Sequence, residues 1–205
     1  MTLFHENPVR RVLCLAGSLR RDSYNRRLLR AAAAEAPATL RLDVHDGLSA
    51  VPLFNEDLES SVPAGVQALR EAIAAADGLI IATPEYNQAI PGVLKNALDW
   101  LSRESPMGEV LSGKPVAVLG ISSGPWGTRL AQASLRQVLH TCGALVMPAP
   151  SLFVANAAMR FDDDGRLVDP AVIRSLQNFM LAFEQWLQRM TPSIVGLEYT
   201  LRAPA

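Results

Sequence analysis

A short polar loop, residues 17–25, carries side chains that suit the binding of a phosphate group. It follows an apolar run and leads into the predicted N-terminus of a helix. Ser18, Ser23 and Asn25 offer neutral hydrogen bonds, and Arg20 offers a charge-assisted one. The free amides and positive dipole end of a helix favour the same ligand. The loop predicts an anion site, unless Ser23 or Asn25 merely caps the helix and the arginines are solvated.

A second loop, residues 84–92, suits the binding of a flat heterocycle. Its two prolines, Pro84 and Pro91, stiffen a backbone that can present a fixed edge of amide donors and carbonyl acceptors. Such a ring needs this polar edge together with aromatic or apolar cover, and the segment can provide both. Tyr86 and Asn87 are the predicted contacts. On the alternative interpretation, Tyr86 is a partly buried loop aromatic and Asn87 only a turn residue.

A third loop, residues 122–128, combines small residues with one large aromatic, Trp126. Its serines and glycines allow close approach of the backbone to a ligand, and Trp126 could form the far wall of a site. Glycines also suit an ordinary turn between a strand and a helix, so this loop supports the other two and predicts little by itself.

The segment from Cys14 to Arg20 has the C-x5-R spacing of low-molecular-weight protein tyrosine phosphatases. A phosphatase thiolate must lie at the rim of its phosphate loop, where amides and an arginine lower its pKa. Cys14 instead lies inside an apolar run, and Arg21 stands where that family has a hydroxyl. A phosphatase also needs a separate acid that protonates the leaving group. The only Asp-Pro pair of the chain, at residues 169–170, falls at a predicted helix start. A phosphatase is therefore a minor alternative.

The elements that must position these loops alternate along the chain. Apolar runs of four to eight residues indicate buried strands, and apolar residues at helical spacing indicate helices. The predicted strands are residues 9–16, 40–45, 78–83, 115–121 and 144–148, and the predicted helices are residues 26–36, 66–76, 91–101, 130–142 and 170–190.

This alternation predicts an α/β fold: a doubly wound, five-stranded parallel sheet with helices on both faces, in a single domain over residues 1–205. Ligands of such sheets bind beyond the carboxyl ends of the strands. The three polar loops follow three of those ends. We therefore expect them to form one site.

Composition excludes several classes of function. The formal net charge is -1, from 19 basic and 20 acidic residues, so a nucleic-acid partner is not expected. The sequence contains no run of about 18 apolar residues, the length that would predict a membrane span, and its N-terminus does not have the pattern of a signal peptide. His5, His45 and His140 lack the grouping of a metal site. The two unpaired cysteines favour a cytoplasmic location.

The sequence resembles the NADPH-dependent FMN reductases, a flavodoxin-like family with quinone, chromate and azo-dye reductases among its relatives. The resemblance covers most of the chain. Its most specific parts are GSLRRDSYN at residues 17–25 and PEYNQAIPGVLKNALDW at residues 84–100, supported by PLFNEDLE at residues 52–59.

The resemblance implies bound FMN, with NADPH or NADH as electron donor. The first loop would hold the FMN phosphate and the second would line the isoalloxazine ring, with the third as support. The predicted cofactor-binding residues are Ser18, Arg20, Ser23, Tyr24, Asn25, Pro84, Glu85, Tyr86, Asn87, Ser122, Ser123, Gly124 and Gly127.

If FMN is bound, the flavin carries the chemistry, so no catalytic acid or base is predicted. We expect a ping-pong reductase that passes electrons to a small acceptor such as a quinone, an azo compound, a metal oxyanion or free flavin. The non-enzymatic alternative is a flavodoxin-type electron carrier, although such carriers are typically more acidic than this chain.

Two further expectations concern the third loop and the assembly. Residues 127–129 read Gly-Thr-Arg, where the family commonly has two adjacent glycines followed shortly by an arginine. This departure leaves open the orientation of Arg129, and with it the choice of acceptor, whereas the flavin prediction is intact. Family members are usually dimers or tetramers, so a homodimer or homotetramer is implied. Apolar residues of the tail, residues 191–205, could pack against a neighbouring subunit, with a loosely ordered tail as the alternative.

Overall fold

The computed structural model describes residues 8–190, so the tail at residues 191–205 lies outside the described part. The strands are β1 Arg10–Ala16, β2 Leu40–His45, β3 Gly78–Ala82, β4 Pro115–Ile121, β5 Leu145–Val146 and β6 Leu152–Val154. The α-helices are α1 Tyr24–Ala34, α2 Ala64–Ala74, α3 Gly92–Leu101, α4 Arg129–Thr141 and α5 Pro170–Met190. Short 3-10 helices occupy Gly47–Ala50, Glu56–Ser61 and Ala157–Met159.

All strand pairs of the sheet are parallel, in the order β2-β1-β3-β4-β5. The order reverses direction beside β1, as in a doubly wound flavodoxin-like fold. The predicted fold class is confirmed, and each predicted helix is present with ends shifted by no more than a few residues. Among the described helices, none is both long and apolar enough to cross a membrane.

The sequence prediction for the fifth strand is corrected. The predicted strand at residues 144–148 is reduced to β5, which pairs with the start of β4, and the separate strand β6 pairs with the end of β4. Pro148 and Pro150 lie between the two short strands. Proline has no N–H to donate to a strand ladder, so pairing stops there and resumes at Leu152.

Two apolar layers cover the sheet, one on each face. Successive residues of β1 point to opposite faces, so Val12 and Cys14 pack with α1 and α5, while Leu13 and Leu15 pack with α2, α3 and α4. Every residue of β3 and β4 is buried. The continuous apolar runs in the sequence follow from this double cover.

The segment that carries the PLFNEDLE motif is tied to α3. Asn96 accepts a hydrogen bond from the Phe54 N–H through Oδ1 at 2.7 Å and donates one from Nδ2 to the Pro52 carbonyl at 2.8 Å. The Trp100 Nε1 donates to the same carbonyl at 2.9 Å. The motif therefore secures a long connection against the helix that follows the second polar loop.

Gly120 supports the sheet beneath the polar loops, and replacing it should destabilise the protein. In Gly120→Ala, the new Cβ would lie well inside van der Waals contact with Thr128 Oγ1 and the Thr83 carbonyl oxygen. Overpacking of this kind costs about 1–3 kcal/mol, measurable as a lower urea midpoint. Gly92→Ala is the control, since its Cβ would meet no atom within 4 Å. Equal midpoints for the two variants would contradict the prediction.

Candidate functional site

The three polar loops meet at the carboxyl ends of β1, β3 and β4, which are neighbours in the sheet. They enclose a pocket of about 310 Å³, within the range typical of ligand sites. The residues that line it are Ser18, Arg20, Ser23, Tyr24, Asn25, Pro84, Glu85, Tyr86, Ile121, Ser122, Ser123, Gly124, Trp126 and Gly127.

All of the residues predicted for the site line this pocket except Asn87. Two more residues line it that the prediction did not include. Ile121 is the last residue of β4, which the sequence assigned to the strand alone. The sequence indicates Trp126 as a possible far wall of the site but does not place it among the predicted cofactor-binding residues, and its position in a glycine-rich loop is the available signal.

The first loop offers two buried hydroxyl groups and one exposed cation. Ser18 and Ser23 are 5% and 3% exposed, whereas Arg20 is exposed. Ser23 occupies the N-cap position of α1, yet its hydroxyl makes no capping hydrogen bond. The alternative in which Ser23 merely caps the helix is therefore not supported. Its hydroxyl, together with the first amides of α1, is available to a ligand.

Asn25 joins the first loop to the end of β4. Its Nδ2 donates to the Ile121 carbonyl at 3.0 Å, and its Oδ1 accepts from the Ile121 N–H at 3.1 Å. The side chain is buried and caps nothing. One amide hydrogen remains for a ligand. Local sequence gave no signal for this contact, because its partners are 96 residues apart.

The second loop forms a tight hairpin. Tyr86 and Ala89 exchange backbone hydrogen bonds of 3.1 and 3.0 Å, and Asn87 and Gln88 between them have φ of 51° and 63°. Positive φ at both central positions is characteristic of a type I′ turn. Asn87 is thus a turn residue at the hairpin tip, as the alternative interpretation held, while Tyr86 lines the pocket and is half exposed.

Glu85 fixes this hairpin to α4. Its Oε2 accepts hydrogen bonds from the backbone N–H groups of Leu130 and Ala131, both at 2.9 Å. A carboxylate at this position satisfies free amides and interacts favourably with the helix dipole. Glu85 therefore acts at the helix terminus, and Arg20 is the charged side chain that remains for a ligand of the pocket.

The third loop is held at several points. The Ser122 hydroxyl donates to the Gly127 carbonyl at 2.8 Å, and the Gly124 carbonyl accepts from the Asn156 N–H at 3.1 Å. Gly127 has φ of 69°, and a Cβ there would lie 3.2 Å from the Cβ of Phe153. A side chain at position 127 is disfavoured on both grounds.

Arg129 follows this loop and lies over Phe153 of β6, with its guanidinium carbon 5.4 Å from the ring centroid. This contact fixes the orientation that the departure from the family pattern had left open. The supporting residue belongs to the strand that the sequence did not predict.

Cys14 is inaccessible as a nucleophile in the folded protein. It is fully buried in β1. Burial, with a smaller contribution from the Asp43 carboxylate, raises the pKa of the Cys14 thiol to about 12. A phosphatase needs an accessible thiolate, so the phosphatase alternative is wrong.

The donors around the pocket fit a flavin mononucleotide. Two buried hydroxyls, Arg20 and the start of α1 match a phosphate monoester. Gly17 lets the backbone pack closely beneath the second loop, because a Cβ there would lie 3.0 Å from Leu94 and 3.3 Å from Pro84.

The chain is similar to known flavin-dependent reductases along most of its length. Residues 10–159 match the profile of the NADPH-dependent FMN reductase family. A 2-hydroxy-1,4-benzoquinone reductase of Burkholderia sp is 41% identical over 179 residues, with 87% of this chain and 96% of the relative covered. A quinone reductase of Escherichia coli K12 is 37% identical over 182 residues, with 87% and 96% covered.

A solved structure supports the same relationship. The flavoenzyme NAD(P)H:(acceptor) oxidoreductase FerB of Paracoccus denitrificans superimposes with a TM-score of 0.81 at 34% identity, and the match covers 89% of this chain and 99% of FerB. The resemblance inferred from the two loop motifs is confirmed. The chain belongs to the NADPH-dependent FMN reductase family.

Proposed function

We propose that this chain is an FMN-containing reductase that takes electrons from NADPH or NADH and passes them to a small acceptor, with a quinone as the first candidate. The observation that carries the proposal is the convergence of the three polar loops on one pocket. The names of the relatives from Burkholderia sp and Escherichia coli support the choice of a quinone. We propose further that residues 1–205 form one domain.

The first loop would hold the FMN phosphate. Ser18 and Ser23 would donate hydrogen bonds from their hydroxyls, and Arg20 would add a charge-assisted bond. The first amides of α1, at Tyr24 and Asn25, would complete the cradle. Because the two hydroxyls are buried, the phosphate would lie deep in the pocket.

The other two loops would hold the isoalloxazine ring. Pro84, Glu85 and Tyr86 would line it from the second loop, since the hairpin fixes their backbone before any ligand binds. Ser122, Ser123, Gly124 and Gly127 would line it from the third loop. Asn87 would act as the turn residue that shapes the hairpin.

When bound, FMN supplies the redox chemistry by accepting hydride from the nicotinamide and returning two electrons to the acceptor. For a quinone, the balanced reaction is NAD(P)H + quinone + H⁺ → NAD(P)⁺ + hydroquinone. The donor and the acceptor would enter the same open mouth in turn. No residue of the chain is proposed as a proton donor. The Glu85 carboxylate already accepts hydrogen bonds from backbone amides of α4, and solvent, which reaches the mouth beside Tyr86, can supply the proton.

We propose that the protein assembles as a homodimer or homotetramer, as the family resemblance implies, and that it acts in the cytoplasm. Both cysteines are free, which suits a reducing compartment where NADPH and NADH are available. Light scattering coupled to size-exclusion chromatography measures the assembly directly.

The purified protein should complete a redox cycle in one cuvette. We expect a yellow flavin absorption that bleaches with anaerobic NADPH or NADH and returns when a quinone is added. Flavin bands that neither nicotinamide bleaches would indicate an electron carrier instead. A colourless protein that takes up no added FMN would overturn the proposed function.

Arg20 should select the phosphate of FMN, which riboflavin lacks. Arg20→Ala should weaken FMN binding by about tenfold or more, as expected for a lost hydrogen bond to a charged group, and leave riboflavin binding nearly unchanged. The matched control is Arg21→Ala, because Arg21 is also exposed but does not line the pocket. Fluorescence titration of the apoprotein gives both dissociation constants. Equal losses in the two variants would argue against a phosphate contact of Arg20.

Cys14 should be chemically silent. Cys14→Ala should keep the NAD(P)H-dependent reductase turnover close to wild type. In a Cys142→Ala background, Cys14 should react with a thiol reagent at pH 8 only after unfolding, since its pKa of about 12 keeps the buried thiol protonated. Rapid labelling of Cys14 in the native protein would contradict the burial.

A further inference from the structure

Trp126 is a large aromatic side chain at the mouth of the pocket. It is 78% exposed although it lines the site, and Tyr86 beside the same pocket is 49% exposed. Within residues 8–190, neither ring takes part in an aromatic pair or a cation–π contact. Folding therefore leaves most of Trp126 accessible to a ligand.

The backbone that carries Trp126 is fixed on both sides. Gly124 accepts a hydrogen bond from Asn156, and Gly127 accepts one from the Ser122 hydroxyl. Pro125, between Gly124 and Trp126, further restricts the backbone. Because this backbone is already ordered, a ligand that stacks on Trp126 would lose little binding free energy to ordering the loop.

We propose that Trp126 sets the acceptor preference of the site by stacking on planar conjugated acceptors such as quinones. The inference rests on the proposed function and names the substrate class that this residue selects. The buried hydroxyls of Ser18 and Ser23 place the phosphate end of the pocket at depth, whereas Trp126 lies at the mouth, where a second substrate enters.

An indole discriminates between acceptors by shape. A planar quinone offers a π face that can stack offset or edge to face, and such pairs add interaction energy beyond the area they bury. A compact octahedral anion such as ferricyanide has no such face. Trp126 should therefore favour the quinone and have little effect on ferricyanide.

The test compares Trp126→Ala and Trp126→Phe, with Met159→Ala as control, because Met159 is 76% exposed and does not line the pocket. We expect Trp126→Ala to lower kcat/KM for 1,4-naphthoquinone about fivefold to tenfold relative to ferricyanide, mainly through KM. Trp126→Phe should retain most of the preference, and Met159→Ala all of it.

A second measurement does not depend on turnover. The oxidised holoprotein does not reduce a quinone, so calorimetry with 1,4-naphthoquinone measures binding alone, and Trp126→Ala should weaken it by a similar factor. FMN affinity and the rate of bleaching by NADPH should stay at wild-type values in Met159→Ala, because Met159 does not line the pocket.

Three results would overturn the inference. An unchanged ratio of quinone to ferricyanide activity in Trp126→Ala would show that the indole does not select the acceptor. A lower assembly mass in Trp126→Ala with unchanged quinone binding would assign the side chain to a contact with a second copy of the chain. A wild-type protein whose flavin NADPH and NADH both fail to bleach would instead overturn the proposed function, and this inference with it.

Discussion

The geometry of the pocket depends on two buried hydrogen bonds between Asn25 and the backbone of Ile121. They connect the first turn of α1 to the last residue of β4, across the end of β3. A buried peptide N–H or carbonyl left without a partner costs about 1–3 kcal/mol, so the pairing strongly favours one placement of the helix. The end of β4, from which the third loop begins, therefore fixes the position of the amides at the start of α1 that would bind the phosphate.

The position of Glu85 shows how charge is distributed around the same pocket. A free carboxylate in the second loop would repel a phosphate ligand. Its Oε2 instead accepts hydrogen bonds from the first amides of α4. The Glu85 side chain thus anchors the hairpin and satisfies amides at the start of α4. Arg20 and the dipole of α1 then make the electrostatic potential inside the pocket favourable for an anion. The site is prepared for an anion without any buried ion pair.

The features that the sequence predicted are those that depend on neighbouring residues. Apolar runs predict the strands, and the rule that ligands bind at the carboxyl ends of the strands predicts that the three loops form one site. The sequence predicts Asn87 as a contact of the heterocycle, with a turn residue as the alternative. The structure places it in a turn with positive φ, which the Asn-Gln pair signals far less clearly than Asn-Gly would. The partners of Asn25 and Glu85 are remote in sequence, so no local pattern could identify them.

The unpredicted strand β6 explains why the sequence identifies the cofactor more readily than the acceptor. Two prolines interrupt the edge of the sheet, and pairing resumes only beside the end of β4. There, Phe153 supports Gly127 and Arg129, and the Val154 carbonyl accepts from the Ser122 N–H at 3.0 Å. The third loop, which holds Trp126, therefore rests on a three-residue strand outside both specific motifs. The first two loops can identify the flavin from sequence alone, whereas the surface that we propose to select the acceptor rests on a support with no sequence signature.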